Sequence, residues 1–359
     1  MKIAIVNIIK PQAGSGDGIT ECAYRISDML KKYHTVDLVY ALESSKRNDI
    51  GGWIYTNSVF KRRIKELAKK DYDIIHITNQ ELGFAAKILK REGSKAAIVT
   101  FLFDLMRIKQ GFHKSVMQSA YNYIAANSIK DAVDYSDMLI FSASSVARDT
   151  RSVFKLQKKW RVVYIGPPKE SFATTPIPEK IKSSRLNVGY VAALAYHKNA
   201  IFILKTAERL MNQRDKFRFT IWGSGVQYRN LVNYKKEHQL DNLELRGFAP
   251  EDKLLQIYDS FDVFMYPTLE EGTSLPVFNA QARGLPVILY KGNKLADEVT
   301  KYCFIAKDED DAASMLKDLR EKGYNQKQRE TATKYARGFT WERVVKETMQ
   351  VYGELITKR

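Results

Sequence analysis

Residues 262–290 constrain the fold more than any other segment of the chain. Residues 262–265 form a short apolar run that ends before Pro267, which has no backbone N–H to donate to a neighbouring strand. Residues 285–289 form a second apolar run, which is typical of a buried parallel strand. The segment between the two runs is too short for anything but a loop and one small helix.

The sequence predicts where this helix begins and ends. Thr273 or Ser274 can cap its N-terminus, Pro276 suits its first turn, and Gly284 suits its C-terminal stop. Strand, loop, helix and strand in this order form the repeating unit of a parallel α/β sheet.

The loop before the helix contains Glu270, Glu271 and Gly272. A glycine lets the backbone approach a ligand closely, and the free N–H groups of the first helical turn suit a phosphate. A carboxylate would repel that phosphate, so Glu271 is expected to bind hydroxyl groups, such as those of a sugar. The residues alone support equally well that Glu270 and Glu271 are solvated charges favoured by the helix dipole.

Length and composition indicate a globular protein of two domains. The chain has 359 residues, with 45% hydrophobic and 28% charged residues. No apolar run approaches the ~20 residues that span a bilayer, and the N-terminus lacks a signal-peptide pattern. Cys22 and Cys303 are far apart in apolar surroundings, which favours reduced core thiols in a cytoplasmic protein.

The first half alternates short apolar runs with longer helical patterns, which predicts a doubly wound parallel sheet. The predicted strands are residues 3–9, 36–40, 74–77, 96–101 and 138–141. The helical patterns lie at residues 19–32, 58–70, 81–92, 112–133 and 144–154. Ligands of such sheets bind beyond the C-terminal ends of the strands. The Gly-rich loop at residues 14–18 is therefore a candidate ligand loop, although it lacks the GxGxxG spacing.

The second half repeats the alternation after a Pro-rich, polar linker predicted at residues 169–185. The linker separates a first domain, residues 1–168, from a second domain, residues 186–340. Besides the 262–290 segment, the predicted strands are 186–192, 217–222, 243–245 and one near 303–305. The predicted helices are 198–212, 225–238 and 250–259, with further helices through 310–337. A last amphipathic helix is predicted at 341–356, after Thr340 as its N-cap.

The net charge of +17 is concentrated in the first half, which carries +11 over residues 1–168. A basic domain can face nucleic acid, anionic lipid or a phosphorylated substrate, or its charges can simply be solvated. Residues 61–70 carry six basic side chains around the apolar Ile64 and Leu67, which predicts an amphipathic helix that is either solvated or in contact with a membrane surface. Residues 151–161 are a second basic stretch with interleaved aromatic residues. No nucleic-acid motif accompanies the charge, so nucleic acid is not expected as a partner.

The second half also contains an ordered series of short motifs. They are Gly189, His197-Lys198-Asn199, Ile221-Trp222-Gly223-Ser224-Gly225, Leu245-Arg246-Gly247-Phe248, Tyr266-Pro267-Thr268 and Glu271-Gly272-Thr273-Ser274-Leu275-Pro276. The series resembles the family 4 retaining glycosyltransferases, and weaker matches extend the resemblance over nearly the whole chain. The resemblance implies the GT-B architecture, in which two Rossmann-like domains face a cleft. It also implies that the C-terminal helix, residues 341–359, crosses back to the first domain.

The same resemblance implies a nucleotide-diphosphate sugar as donor, held mostly by the second domain. Glu271 would accept hydrogen bonds from hexose hydroxyls, and Lys198 would neutralise the diphosphate leaving group. The other implied donor-binding residues are Gly16, Gly18, Gly189, Tyr190, Arg246, Phe248, Gly272, Thr273, Ser274, Leu275 and Asn279. No metal or other cofactor is expected. The acceptor is unidentified, either lipid-linked or a glycan, which leaves open a peripheral contact with the anionic inner face of the cell membrane.

Three departures from the family pattern bear on activity. Asn279 replaces a second glutamate that binds ribose in the family, and Tyr190 replaces an arginine that binds phosphate. In the first domain, Phe103-Asp104 replaces a His-Asp pair, so Asp104 is the catalytic candidate of that domain. His113 lies near in sequence, although a surface histidine is the simpler interpretation. The departures leave open a second interpretation, a catalytically impaired member that binds a nucleotide or glycan as a partner subunit.

Overall fold

The computed structural model describes residues 1–12, 18–43, 50–105, 116–167, 172 and 184–357. The chain divides into two compact units. The first contains Met1–Ile165 together with Trp341–Arg359, and the second contains Gly166–Thr340. Most of the Gly-rich loop and most of the predicted linker lie outside the described residues.

The first unit is built on a six-stranded parallel sheet with the order β2-β1-β3-β4-β5-β6. Its strands are β1 Lys2–Ile9, β2 Thr35–Leu42, β3 Ile74–Ile77, β4 Ala97–Leu102, β5 Met138–Phe141 and β6 Lys159–Val162. The helices between the strands are α1 Gly18–Leu30, α2 Ile50–Ala68, α3 Gly83–Arg91, α4 Val116–Tyr135 and α5 Ser144–Val153.

Burial in this sheet explains which strands the sequence predicts. Every residue of β3, β4 and β5 is buried, as the continuous apolar runs of a sheet covered on both faces require. The strand β6 was not predicted. It lies at the sheet edge and reads Lys-Trp-Arg-Val, and charged side chains of this kind protect an edge strand from pairing with another chain.

The second unit has a second six-stranded parallel sheet, with the order β12-β11-β10-β7-β8-β9. Its strands are β7 Leu186–Val191, β8 Phe217–Trp222, β9 Leu243–Gly247, β10 Val263–Met265, β11 Val287–Tyr290 and β12 Phe304–Ala306. Its helices are α6 Ile201–Arg209, α7 Tyr228–Glu237, α8 Leu254–Asp259, α9 Leu275–Ala282, α10 Asp297–Thr300, α11 Glu309–Lys322 and α12 Gln326–Arg337. The predicted α/β class, with one Rossmann-like sheet in each half, is confirmed.

The helix α9 has the ends that the sequence predicts. Ser274 is its N-cap, and Pro276 lies in its first turn. Gly284 follows the helix with a φ of +76°, a left-handed conformation that is strained for any residue with a Cβ. Because these ends are fixed, the loop before α9 is held at the C-terminal end of β10.

The helix α13, Trp341–Ile356, belongs to the first unit and packs against α1. Its Tyr352 is fully buried, and its hydroxyl lies 2.6 Å from Nδ1 of His76 on β3. Burial lowers the pKa of His76 to about 3, so this imidazole is neutral at ordinary pH. The C-terminal helix is therefore joined to the centre of the first sheet by a buried hydrogen bond.

Two further sequence expectations concern membranes and thiols. Among the helices that the structure describes, none combines the length and the apolar character needed to cross a membrane. Cys22 is buried, Cys303 is half-buried, and both are free thiols.

Candidate functional site

Three side chains of the second unit meet at the C-terminal ends of two paired strands, β7 and β10. Lys198 comes from a single 3-10 turn, Tyr196–Lys198, that follows β7. Tyr266 follows β10 directly, and Glu271 lies in the loop before α9. This edge of a parallel sheet is where ligands of α/β folds bind.

The three side chains form one hydrogen-bonded cluster. Lys198 Nζ donates to the Tyr266 hydroxyl at 2.9 Å, and that hydroxyl donates to Glu271 Oε1 at 2.9 Å. Lys198 also forms an ion pair with the same carboxylate oxygen. The side chains of Lys198 and Glu271 are each 13% exposed, so the pair is largely shielded from water but can still be reached from one side.

The second carboxylate oxygen, Glu271 Oε2, is buried and has no hydrogen-bond partner among the described residues. A carboxylate accepts several hydrogen bonds, and leaving a buried acceptor unsatisfied costs about 1–3 kcal/mol, more when it is charged. A donor such as a hydroxyl group would remove that cost. The cluster is therefore arranged to accept a hydrogen bond from a ligand.

The Tyr266 hydroxyl remains protonated in this environment. Burial raises the pKa of Tyr266 well above its ordinary value, with smaller contributions from Tyr190 and Tyr258, while Ser274 opposes the rise. The ring is held by stacking on Tyr190 at 5.8 Å and on Phe264 at 5.7 Å between centroids. A fixed, protonated hydroxyl can accept from Lys198 and donate to Glu271 at the same time.

Backbone hydrogen bonds hold the two loops that carry the cluster. The carbonyl of His197 accepts from the amide of Leu269 at 2.7 Å and from the Thr268 hydroxyl at 3.2 Å. Asn199 ends the Lys198 turn with a φ of +52°, a left-handed conformation that asparagine tolerates better than most residues. Lys198 and Glu271 are therefore positioned by the backbone as well as by Tyr266.

Other predicted donor-binding residues surround the N-terminus of α9. Gly272 and Ser274 are buried, whereas Thr273 and Leu275 are half-buried. Their backbone N–H groups include those of the first helical turn, which lack partners within the helix. The structure thus brings four of the predicted residues next to Glu271.

Gly189 and Tyr190 have a packing explanation. A Cβ on Gly189 would lie 2.2 Å from the ring of Phe261, so only glycine fits this position in β7. Tyr190 is fully buried, and its hydroxyl donates to the carbonyl of Ala193 at 3.3 Å. Their assignment to donor binding stays a prediction.

Asn279, the position of the second family glutamate, is on α9 and is 9% exposed. Burial raises the pKa of Tyr258. A side-chain hydrogen bond between Asn279 and the Tyr258 hydroxyl opposes that rise. The Oδ1 atom of Asn279 has no hydrogen-bond partner among the described residues. A ribose hydroxyl could donate to that oxygen, so a role in donor binding also stays a prediction.

Arg246 and Phe248 lie at the end of β9. The Arg246 guanidinium forms an ion pair with Glu244, and Phe248 is 68% exposed. An exposed ring at the carboxyl edge of a sheet is available to a planar ligand, and the predicted contact with the base remains untested.

The remaining predicted residues belong to the first unit. Gly18 begins α1 and is exposed, whereas Gly16 and His113 lie outside the described residues. Asp104 follows β4 and is half-buried. The preceding residue, Phe103, is held by Gln80, whose Oε1 accepts from its amide at 3.2 Å, and by the Ser142 hydroxyl, which donates to its carbonyl at 2.8 Å.

In the described part of the chain, no group of three or more His, Cys, Asp and Glu side chains is arranged to hold a metal ion.

Sequence reasoning did not assign a role to Tyr266. The residue was noted only as part of a motif, because the distance between Lys198 and Tyr266 in the sequence gives no information about their contact. One signal was available, since a buried tyrosine hydroxyl needs a hydrogen-bond partner and Glu271 is only five positions away.

Solved structures with the same architecture define the class of fold. The chain is similar to sucrose-phosphate synthase from Thermosynechococcus elongatus, with a TM-score of 0.78 and 15% identity over 100% of both chains. It is also similar to HepE from Anabaena, solved in complex with UDP and glucose, with a TM-score of 0.74 and 12% identity over 99% of this chain and 100% of that one. The fold is that of the GT-B proteins.

A sequence comparison matches the second unit to a family. Residues 172–339, nearly all of that unit, match the family model described as glycosyl transferases group 1. The second unit is therefore similar to the group 1 glycosyl transferases, in agreement with the motif series.

The curated relatives are matched over part of their length. The putative glycosyltransferase EpsF of Bacillus subtilis is 30% identical over 109 residues, 30% of this chain and 28% of the relative. The putative colanic acid biosynthesis glycosyltransferase WcaL of Escherichia coli is 28% identical over 145 residues, 36% of each chain. The O-antigen chain mannosyltransferase B of Escherichia coli is 24% identical over 45% of this chain and 44% of the relative. The matched region covers less than half of each of these three relatives.

Proposed function

We propose that the chain is a retaining glycosyltransferase that moves a hexose from a nucleotide-diphosphate sugar to an acceptor, either a glycan or a lipid-linked molecule. The observation that carries the proposal is Glu271 Oε2, a buried oxygen that finds no partner in the described part of the chain, on a carboxylate that pairs with the Lys198 ammonium. Together they offer an acceptor for sugar hydroxyls and a cation for a diphosphate. The complex of HepE with UDP and glucose supports a donor of the same class.

In this proposal the donor binds across the cluster without breaking it. The ammonium of Lys198 has three donors and the carboxylate of Glu271 has several acceptor positions, so each can bind the ligand and keep its contact with Tyr266. Oε2 of Glu271 accepts from a hexose hydroxyl, and the first-turn N–H groups of α9 donate to the sugar or phosphate oxygens.

The chemical step breaks the bond between the anomeric carbon and the diphosphate and forms a bond from that carbon to an acceptor oxygen on the same face of the ring. The acceptor proton leaves with the diphosphate. Lys198 acts where negative charge grows, on the leaving phosphate oxygens, and a preorganised charge in a shielded site is most effective there. Glu271 orients the hexose, and no protein nucleophile is required.

A donor screen tests the proposal. The full chain would be mixed with UDP-, GDP- and ADP-hexoses, and the melting temperature and the release of nucleoside diphosphate would be measured. The proposal expects one donor to raise the melting temperature and to turn over, and Glu271→Gln and Lys198→Met to lose turnover by at least 100-fold. The matched control is Glu270→Gln, which removes the neighbouring carboxylate and should keep activity within about twofold.

A second function, binding without transfer, is favoured by two positions. Tyr190 supplies no phosphate-binding cation, and Asn279 supplies a neutral amide where the family has a carboxylate. A donor that stabilises the wild-type chain but not Glu271→Gln, with no turnover in any acceptor mixture, would favour a nucleotide- or glycan-binding partner subunit. No stabilisation by any nucleotide sugar would contradict both functions.

The proposal of a lipid-linked acceptor rests on the positive charge of the first unit. On α2, however, Ile64 and Leu67 are buried in the core of the unit and the basic residues around them are exposed or half-buried. Within the basic segment 61–70, the apolar side chains face the core and only the charged ones face solvent, so a membrane contact through this segment would be electrostatic. Flotation with anionic and neutral liposomes, at low and at physiological salt, tests for membrane contact. An absence of flotation with anionic liposomes at low salt would contradict the lipid-linked acceptor.

A further inference from the structure

The first unit has an open cavity of about 500 Å³ between α5 and the edge strand β6. Lys198 and Glu271 belong to the second unit, and the proposed transfer does not use this cavity. Its lining residues are Ser144, Ala147, Arg148, Arg151, Ser152, Trp160 and Val162.

The α5 side of the cavity is basic. Ser144, Ala147, Arg148 and Arg151 follow the spacing i, i+3, i+4 and i+7, which places them on one side of a helix. Both arginines are exposed, and neither forms an ion pair or side-chain hydrogen bond with any residue that the structure describes. Two guanidinium groups one helical turn apart, with no carboxylate partner among the residues described, form a site for an anion, since each can bind a carboxylate or a phosphate with two parallel hydrogen bonds.

The β6 side of the cavity supplies an aromatic ring. Trp160 is half-buried, with its indole packed edge-on against Phe141 at 5.8 Å, which fixes the ring on the face of β6 that lines the cavity. Side chains alternate along a strand, so Arg161 points to the opposite face, where it forms an ion pair with Glu354 of α13. The ring of Trp160 is therefore held in place while part of it stays accessible.

The charge around the cavity is predominantly positive. Residues 144–162 contain six Lys and Arg side chains and a single acidic residue, Asp149. Lys155 and Lys158 are exposed in the segment that connects α5 to β6. The basic stretch at residues 151–161, which the donor site does not use, thus surrounds this cavity.

We propose that this cavity binds an anionic saccharide, a sugar chain that carries carboxylate or phosphate groups. Trp160 packs against the apolar face of a sugar ring, Arg148 and Arg151 bind its charged group, and the Ser144 and Ser152 hydroxyls lie at the rim for neutral hydroxyls. Aromatic stacking combined with bidentate anion binding matches a saccharide better than an acidic peptide, which would use the charges but not the ring. The site would hold a segment of an acidic glycan on the first unit, and its occupancy does not depend on transfer.

The experiment uses the full chain and four defined probes. Tetragalacturonate and maltotetraose 6-phosphate present the two anionic groups on a saccharide, maltotetraose is the neutral saccharide, and hexaglutamate is the acidic peptide. Binding is measured by calorimetry and by intrinsic tryptophan fluorescence at physiological salt. At least one acidic saccharide should bind saturably and change the fluorescence, with maltotetraose and hexaglutamate at least tenfold weaker.

Variants assign the binding to the cavity. Arg148→Ala/Arg151→Ala should weaken binding of the acidic saccharide at least tenfold, and Trp160→Phe should abolish the fluorescence change. The matched control is Lys69→Ala/Lys70→Ala, which removes the same charge from two exposed residues after α2 and should change the affinity less than twofold. The proposal is overturned by an absence of saturable binding of both acidic saccharides, by equal losses in the two double variants, or by hexaglutamate binding as tightly as the saccharides.

Discussion

Replacement of Tyr266 by phenylalanine tests whether the hydroxyl positions Lys198 and Glu271. The substitution removes one oxygen and keeps the ring, so stacking on Tyr190 and Phe264 should persist. The hydroxyl that is lost accepts from Lys198 at 2.9 Å and donates to Glu271 at 2.9 Å. The two charged side chains would still pair with each other, but neither would be held at a fixed position.

The expected magnitude follows from the two hydrogen bonds. A hydrogen bond to a charged group contributes about 1.5–3 kcal/mol. Because the remaining ion pair recovers part of this, we expect a total loss of about 2–3 kcal/mol in the free energy of unfolding of the second unit. For a unit of this size each kcal/mol lowers Tm by about 2–4 °C, so Tm should fall by about 4–12 °C. The same loss of positioning in the transition state lowers kcat/KM by about 30- to 150-fold.

The assay needs a control that loses a comparable hydroxyl elsewhere. Tyr234 donates to Glu208 Oε2 at 2.7 Å in the same unit, so Tyr234→Phe removes a tyrosine hydrogen bond to a carboxylate outside the site. Both variants would be compared by thermal unfolding and by turnover of the donor found in the screen. Tyr234→Phe should lower Tm by a few degrees and keep turnover within about twofold. Equal turnover in wild type and Tyr266→Phe would refute the positioning role, whatever the change in Tm.

Three further predictions concern stability. Burial gives His76 a pKa of about 3 in the folded state, whereas the ordinary value in the unfolded chain is near 6.5. Below pH 6.5 the unfolded chain therefore binds a proton at His76 that the folded chain does not bind. The free energy of unfolding of the first unit should therefore fall by about 2–3 kcal/mol between pH 6.5 and 4.5 in denaturant titrations, and His76→Gln should reduce that slope. Gly83→Ala should destabilise the same unit by more than about 2 kcal/mol, since a Cβ there would lie 1.9 Å from the Ser128 carbonyl oxygen. Gly353→Ala on α13, where a Cβ meets nothing within 4 Å, should raise stability by about 0.5–1 kcal/mol. A stabilised Gly83→Ala or a destabilised Gly353→Ala would contradict the difference in space around these two glycines.

The boundaries of α9 illustrate what a sequence can predict. Ser274, Pro276 and Gly284 act through local backbone chemistry, and each lies where its residue type is favoured. The helix at residues 341–356 was predicted with the bounds that the structure gives, since a 3.6-residue apolar period over four turns leaves little freedom. The motif series indicated the same family that the second unit matches, because the series samples many positions in order.

Contacts between distant residues could not be predicted in the same way. The role of Tyr266 depends on two strands being neighbours, which spacing along the chain does not reveal. The strand β6 was missed because its sequence has the charges of a surface segment, and only its place at the edge of the sheet makes those charges compatible with a strand. The basic stretch at residues 151–161 has the composition of a surface segment, and its relation to the cavity depends on α5 and β6 being neighbours in the fold.

The helix α13 has a consequence for biosynthesis. The first unit contains Met1–Ile165 and Trp341–Arg359, so all of Gly166–Thr340 is translated between its two parts. At about 5–20 residues per second, the ribosome needs roughly 10–35 s to synthesise the intervening segment. During that interval His76 has no Tyr352 to bind and α1 lacks the helix that covers it, whereas the second unit is continuous and can fold as it emerges. The nascent first unit is therefore the part of this protein that a chaperone would be expected to bind, until α13 has been synthesised and packs against α1.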